Sequence, residues 1–100
     1  MAWHNTFGAI AISPSTGARG TTWGRWNVLD AQLGARIDCG FADCFVAVTV
    51  NNSCASVAMG FGGVHGWAIR GNGFLAAQAA LMNCAVRTSN CFTSATVCSY

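Results

Sequence analysis

The sequence predicts an α+β fold: a two-layer sandwich in which two duplicated β-β-α-β units, residues 7–51 and 54–100 of one domain, share one mainly antiparallel sheet and are stapled by disulfides. Three observations predict it. Stretches of the first half return in the same order in the second. Each half passes from alternating apolar positions to a helical spacing and back. Six cysteines fall at the joints between those elements.

The echoes run in order: "FGAIAIS" (Phe7 to Ser13) returns as "CASVAMG" (Cys54 to Gly60), and "GARG" (Gly17 to Gly20) as "GVHG" (Gly63 to Gly66). "NVLDAQLGARIDC" (Asn27 to Cys39) returns as "NGFLAAQAALMNC" (Asn72 to Cys84), and "DCFVAVTV" as "NCFTSATV". Four ordered echoes read as a tandem duplication with its seam near Asn51–Ser53.

In the first strand Ile10 and Ile12 alternate with Ala9 and Ala11, the period of a half-buried strand. "SPSTG" then turns the chain, Pro14 pre-set for the turn and Gly17 free to take positive φ. A second strand runs out at "TTWGRW", and Asn27 and Asn72 stand where N-caps belong. In the first helix Leu29, Leu33 and Ile37 lie at i, i+4, i+8 and mark the face expected to be buried. The second helix has almost no polar face, which predicts cover on both sides or docking onto another subunit, hence a homo-oligomer. The closing strands, "FVAVTV" and "FTSATV", are rich in β-branched residues. The expected core is Ile10, Ile12, Leu33, Ile37, Val46, Val48, Val50, Val57, Leu81 and Met82, with Trp23 and Trp67 filling it out.

Charged residues make up 8% of the chain, where an ordinary domain carries roughly 25%. Lys and Glu are absent, and a net charge of +2 is too small and scattered for a nucleic-acid footprint. No apolar run reaches the ~18 residues of a membrane span. Six cysteines in a short chain point to an oxidising compartment, so a secreted or extracellular location is expected. "MAWHNTFGAIAIS" lacks the features of a secretory signal, which predicts a mature form whose leader is gone, with Met1 at a new start.

Cys39 and Cys84 each end a helix, and Cys44 and Cys91 each begin the strand that follows. Equivalent positions predict equivalent bonds, Cys39–Cys44 and Cys84–Cys91. Cys54 and Cys98 remain, and they can join if the strands that carry them run side by side and antiparallel. The alternatives fit less well. Structural zinc favours C-x₂-C knuckles, and the chain's histidines are only His4 and His65. A thioredoxin-type site needs C-x-x-C at a helix start, and a Cys–His nucleophile needs an unpaired thiol.

Other chemistry is sparse. Without Lys there is no P-loop lysine or Schiff base, and without Glu no H-E-x-x-H site. "GFGGVHG" sits between strands, whereas phosphate cradles open onto a helix, so it reads as a hairpin turn with His65 exposed in it. No catalytic, metal or cofactor-binding residue is indicated. "TTWGRW" gathers Arg25 and Trp26, and Trp67 lies near the matching place in unit two. An aromatic–Arg cluster of this kind suits a protein hot spot or a sugar platform, so Trp26, Arg25, Trp67 and His65 are the candidate partner contacts. Asn51 heads an N-x-S sequon, which in a eukaryotic secreted chain would allow a glycan.

"GAIAIS", a turn, "GTTWG", a helix ending "DCG", then "DCFVAVTV", "NNSCASVA" and "VCSY" resemble the family called domain of unknown function 4189. The resemblance covers nearly the whole chain. It implies a small exported bacterial protein, an α–β sandwich of two interlaced repeats and no established enzymatic activity, some members being regarded as secreted effectors. It carries over the cysteines Cys39, Cys44, Cys54 and Cys98. This chain departs from the family's Ala-, Arg- and Glu-rich helices.

The expectation is therefore a secreted, non-catalytic domain that binds a protein or glycan partner, with no nucleic acid and no membrane span. The alternative is a self-assembling subunit of an extracellular oligomer or fibre, since low charge and free sheet edges favour association.

Overall fold

The computed structural model describes residues 6–100, so Met1 and His4 lie outside the described residues. The strands and helices follow one another as β1 (Phe7–Ile12), β2 (Arg19–Arg25), α1 (Val28–Cys39), β3 (Phe45–Asn51), β4 (Ser53–Met59), β5 (His65–Arg70), α2 (Gly73–Ala85) and β6 (Phe92–Ser99). A short 3₁₀ turn, Phe61–Gly63, joins β4 to β5. Both helices start on the expected caps: Asn27 Oδ1 accepts the Asp30 amide at 2.7 Å, and Asn72 Oδ1 accepts the Leu75 amide at 2.8 Å. Gly17 takes its positive φ of 77°, closing the turn after Pro14.

The expected single sheet is corrected to two. β1 lies between β2 and β3 in one antiparallel sheet, and β4 lies between β5 and β6 in another. Consecutive β3 and β4 do not pair. The chain crosses from one sheet to the other at Asn52, whose φ of 56° makes the tight reversal. The physical reason lies in the central strands. The alternation predicts Ala9 and Ala11 on the open face of a half-buried strand, but they are buried as completely as Ile10 and Ile12. β4 is likewise buried from Cys54 to Met59. A strand apolar on both faces needs cover on both.

The two-layer sandwich therefore becomes four layers, helix, sheet, sheet, helix. Ile10, Ile12, Val48 and Val50 meet Ala55, Val57, Met59, Ala95 and Val97 between the sheets. On the far side of the first sheet Ala9 and Ala11 pack on Ala31, Ala35 and Cys39 of α1. On the far side of the second, Ala58 and Ala68 pack on Ala80 and Cys84 of α2.

The helix faces correct a second expectation. Leu29, Leu33 and Ile37 point away from the protein, at 77%, 58% and 70% exposure, and Met82 is also exposed. Val46 and Leu81 are only half-buried. The buried stripes are Ala31, Ala35, Cys39 and Ala76, Ala80, Cys84, on the opposite side of each helix. The cause is close approach. Gly20 of β2 lies under the α1 backbone at Ala35 and Cys39, and Gly66 of β5 under the α2 backbone at Cys84. In that narrow gap a small side chain fits and a leucine does not.

Candidate functional site

All six cysteines are in disulfides: Cys39–Cys44 and Cys84–Cys91 tie each helix end to the strand that follows, and Cys54–Cys98 crosses β4 and β6. Cys54 and Cys98 stand directly opposite one another in the antiparallel register, the arrangement that bridge required.

The four candidate contact residues do not converge. Arg25 and Trp26 lie at the end of β2, whereas His65 and Trp67 lie on β5 in the other sheet. Arg25 reaches Asp30 in the first turn of α1, with 3.5 Å between charged atoms. Trp26 is exposed, as expected. Trp23 and Trp67, which their size assigns to the core, are instead 63% and 43% exposed. The space they were to fill is taken by the aliphatic residues between the sheets and by the alanine-lined helix contacts.

Trp23, Trp26 and Tyr100 rim a cavity of about 300 Å³ whose wall includes Cys98. Ser99 holds its rim together: its hydroxyl accepts the Gly24 amide at 3.0 Å and meets the Thr6 hydroxyl at 2.6 Å. Tyr100 donates its phenol proton to the Gly71 carbonyl at 3.0 Å. Tyr100 closes the "VCSY" stretch, but nothing in those residues places it at this rim; the register that brings it beside β2 is a tertiary property.

His65 is not an exposed turn residue. It opens β5, is half-buried, and sets its ring edge-on to Phe45 of β3 at 5.4 Å between centroids. Burial holds the imidazole below its ordinary pKa, and the Arg87 charge adds to the effect. The β5 carbonyls facing away from β4 are covered by side chains: Asn83 donates to Trp67 at 2.8 Å, Arg87 to His65 at 3.4 Å, and Arg70 to Ile69 at 2.7 Å. On β2, Asp38 plays the matching part by accepting the Thr21 amide at 3.1 Å. These contacts occupy backbone groups that an incoming strand would need.

Asp43 accepts the Ser13 hydroxyl at 2.6 Å, the Ser15 hydroxyl at 2.6 Å and the Ser15 amide at 3.1 Å, locking the β1–β2 turn to the loop before β3. Those hydrogen bonds, Ser13's foremost, hold its carboxyl below the ordinary value. Asn51, head of the sequon, donates its side-chain amide to the Thr6 carbonyl at 2.8 Å.

An apolar recess runs between α1 and β3. It encloses about 490 Å³ and is lined by Leu29, Leu33, Cys44, Phe45 and Val46, with Gln32 and Arg36 at its polar side. Phe41 and Ile37 extend the apolar surface past the helix end. On α2, Phe74, Leu75 and Met82 face outward in the same way, as does Val86 just past its end. Among the described residues no helix is long and apolar enough to cross a membrane.

No curated protein and no solved structure matches the chain. The family model described as "Domain of unknown function (DUF4189)" matches residues 7–98, from the first residue of β1 to the second half of the cross-strand bridge. The chain belongs to that family of unknown function.

Proposed function

We propose that this chain is a secreted, non-catalytic binding domain, two duplicated units stapled by disulfides, that engages a partner protein through the α1–β3 recess. The carrying observation is the outward stripe of Leu29, Leu33 and Ile37 beside Phe45. Exposing that much apolar surface is unfavourable unless something covers it. A protein surface suits the recess better than lipid does. Helices that lie on membranes balance their apolar face with a polar face rich in Lys and Arg, whereas the opposite face of α1 is buried alanine. Secretion is supported by the three disulfides. The non-catalytic reading is supported by the engagement of the reactive groups: every thiol is bridged, and Asp30, Asp38 and Asp43 are all tied into local structure.

The duplicated-unit reading rests on the ordered sequence echoes, on matching N-caps at Asn27 and Asn72, and on the glycines Gly20 and Gly66 lying under equivalent helix turns. The test compares the proteins retained by the intact chain with those retained by Leu33→Asp, a change at an exposed site. Loss of a specific, saturable partner on Leu33→Asp supports the reading, and an identical set of partners for both proteins refutes it.

One observation favours a second reading, self-assembly. Both outer layers of the stack present apolar faces, so copies could associate through either helix. Light scattering after size exclusion decides it, since a monomer at millimolar concentration excludes assembly.

A further inference from the structure

The charge of this chain is unevenly placed. Asp30, Asp38 and Asp43 all precede β3 and are matched in number by Arg19, Arg25 and Arg36 of the same half. Arg70 and Arg87 therefore carry the whole formal excess of +2, in a half that contains no acid. The fold brings these two together. Both line one cavity of about 370 Å³ between the outer edge of β5 and the end of α2, with Trp67, Ala68, Ile69 and Asn83 as the remaining walls.

Neither arginine has a carboxylate partner, since Arg25–Asp30 is the one ion pair among the described residues. Their hydrogen bonds go to backbone. Arg70 donates one Nη1 bond to the Ile69 carbonyl, and Arg87 one to the His65 carbonyl. A guanidinium has five N–H donors in a planar fork, so each keeps most of its donors for a ligand while one bond steadies it. A recess walled by two cations draws an oxyanion, which accepts charge-assisted hydrogen bonds from the free donors.

We propose that the cavity between β5 and α2 is an anion-binding site, in which Arg70 and Arg87 together hold a carboxylate, sulfate or phosphate group of a small ligand. The volume lies at the small end of ligand cavities, which suits a single small molecule. The site is separate from the α1–β3 recess and does not depend on the partner reading.

The experiment is an NMR titration of the isotope-labelled chain at constant ionic strength, with inorganic phosphate, sulfate and glucuronate as separate probes and chloride as the reference anion. Saturable shifts at the Arg70 and Arg87 side chains and the β5 amides are expected with at least one oxyanion, and the probe that binds tells phosphate, sulfate and carboxylate apart. Arg70→Gln is expected to weaken binding at least tenfold, and Arg70→Lys, which keeps the charge and loses the fork, by several-fold. Arg19→Gln, on β2, should leave binding unchanged. Because Arg70 and Arg87 both also cover the β5 edge, each Gln variant is read only after its amide spectrum matches that of the parent. Where a spectrum does not match, Arg70→Lys, which keeps a donor for the Ile69 carbonyl, decides alone. The proposal is overturned if no probe gives saturable shifts beyond those of chloride, or if binding survives Arg70→Gln undiminished.

Discussion

Gly20 of β2 lies directly beneath Ala35 of α1, so close that a Cβ on Gly20 would overlap the Ala35 carbonyl oxygen and stand 2.8 Å from the carbonyl carbon of Asp38. This contact sets the distance between helix and sheet. Gly66 does the same under α2, where an added Cβ would meet the Cys84 nitrogen and stand 2.8 Å from the carbonyl carbon of Asn83. Gly20→Ala and Gly66→Ala should each destabilise the protein by about 1–3 kcal/mol or more, because backbone cannot yield as a flexible side chain does. Urea unfolding of the two variants measures the loss. A change below about 0.5 kcal/mol in both would show that the helices are free to shift.

The two faces of α1 should respond oppositely to substitution. Leu33→Gln, at an exposed position, should alter stability by no more than about 0.5 kcal/mol. Ala35→Leu, buried against β1 and β2, should cost about 1–3 kcal/mol or prevent folding. Thermal melts of the pair check this. The reverse ranking would mean that α1 buries its leucine stripe.

Removing the cross-strand bridge should matter more than removing either short one. Cys54–Cys98 spans 44 residues of sequence, against 5 and 7 for the others. In the loop-entropy model that corresponds to about 4 kcal/mol, compared with about 2 for each short loop. Paired Cys→Ser variants of each bridge, unfolded by denaturant, give the order directly.

Two groups make stability depend on pH, both with the same sign. The folded pKa of His65 lies below 6.5, so its contribution is complete above the unfolded value. It is lost as pH falls below 6.5 through the lower folded value, because the unfolded chain takes up the proton first. Arg87→Gln should raise the His65 pKa toward 6.5 without reaching it, since burial, the larger cause, remains. An NMR titration of the imidazole reads this, and an unchanged pKa would rule out the Arg87 contribution.

Asp43 acts in a more acidic window. Its folded pKa lies below 3.8, so its contribution is present above that value and fades as the carboxylate is protonated in stronger acid. The melting difference between the parent and Asp43→Asn should be larger at pH 5 than at pH 2.5. Equal differences at the two pH values would remove the carboxylate from the account.

What could be read along the chain was local. Asn27 and Asn72 announce helices because a cap needs only the next three residues, and Gly17 marks a turn because its conformation is its own. The half-cystines pair as their places at element ends suggest, since neighbours in sequence at a helix–strand joint are neighbours in space. The candidate site was legible only in pieces. His65 and Trp67 stood out by residue type, but Arg70 and Arg87 could have been flagged only by noticing that no acid balances them.

Tertiary structure decided which faces are buried and how many sheets form. Hydrophobicity alone assigns Leu29, Leu33 and Ile37 to the core, because a leucine gains more from burial than an alanine. That gain is available only where a leucine fits. Glycines on separate strands draw each helix so close to its sheet that only alanine and half-cystine fit beneath it, and the larger residues are left outside. The size of a gap is a property of two elements together, and no single stretch of chain contains it.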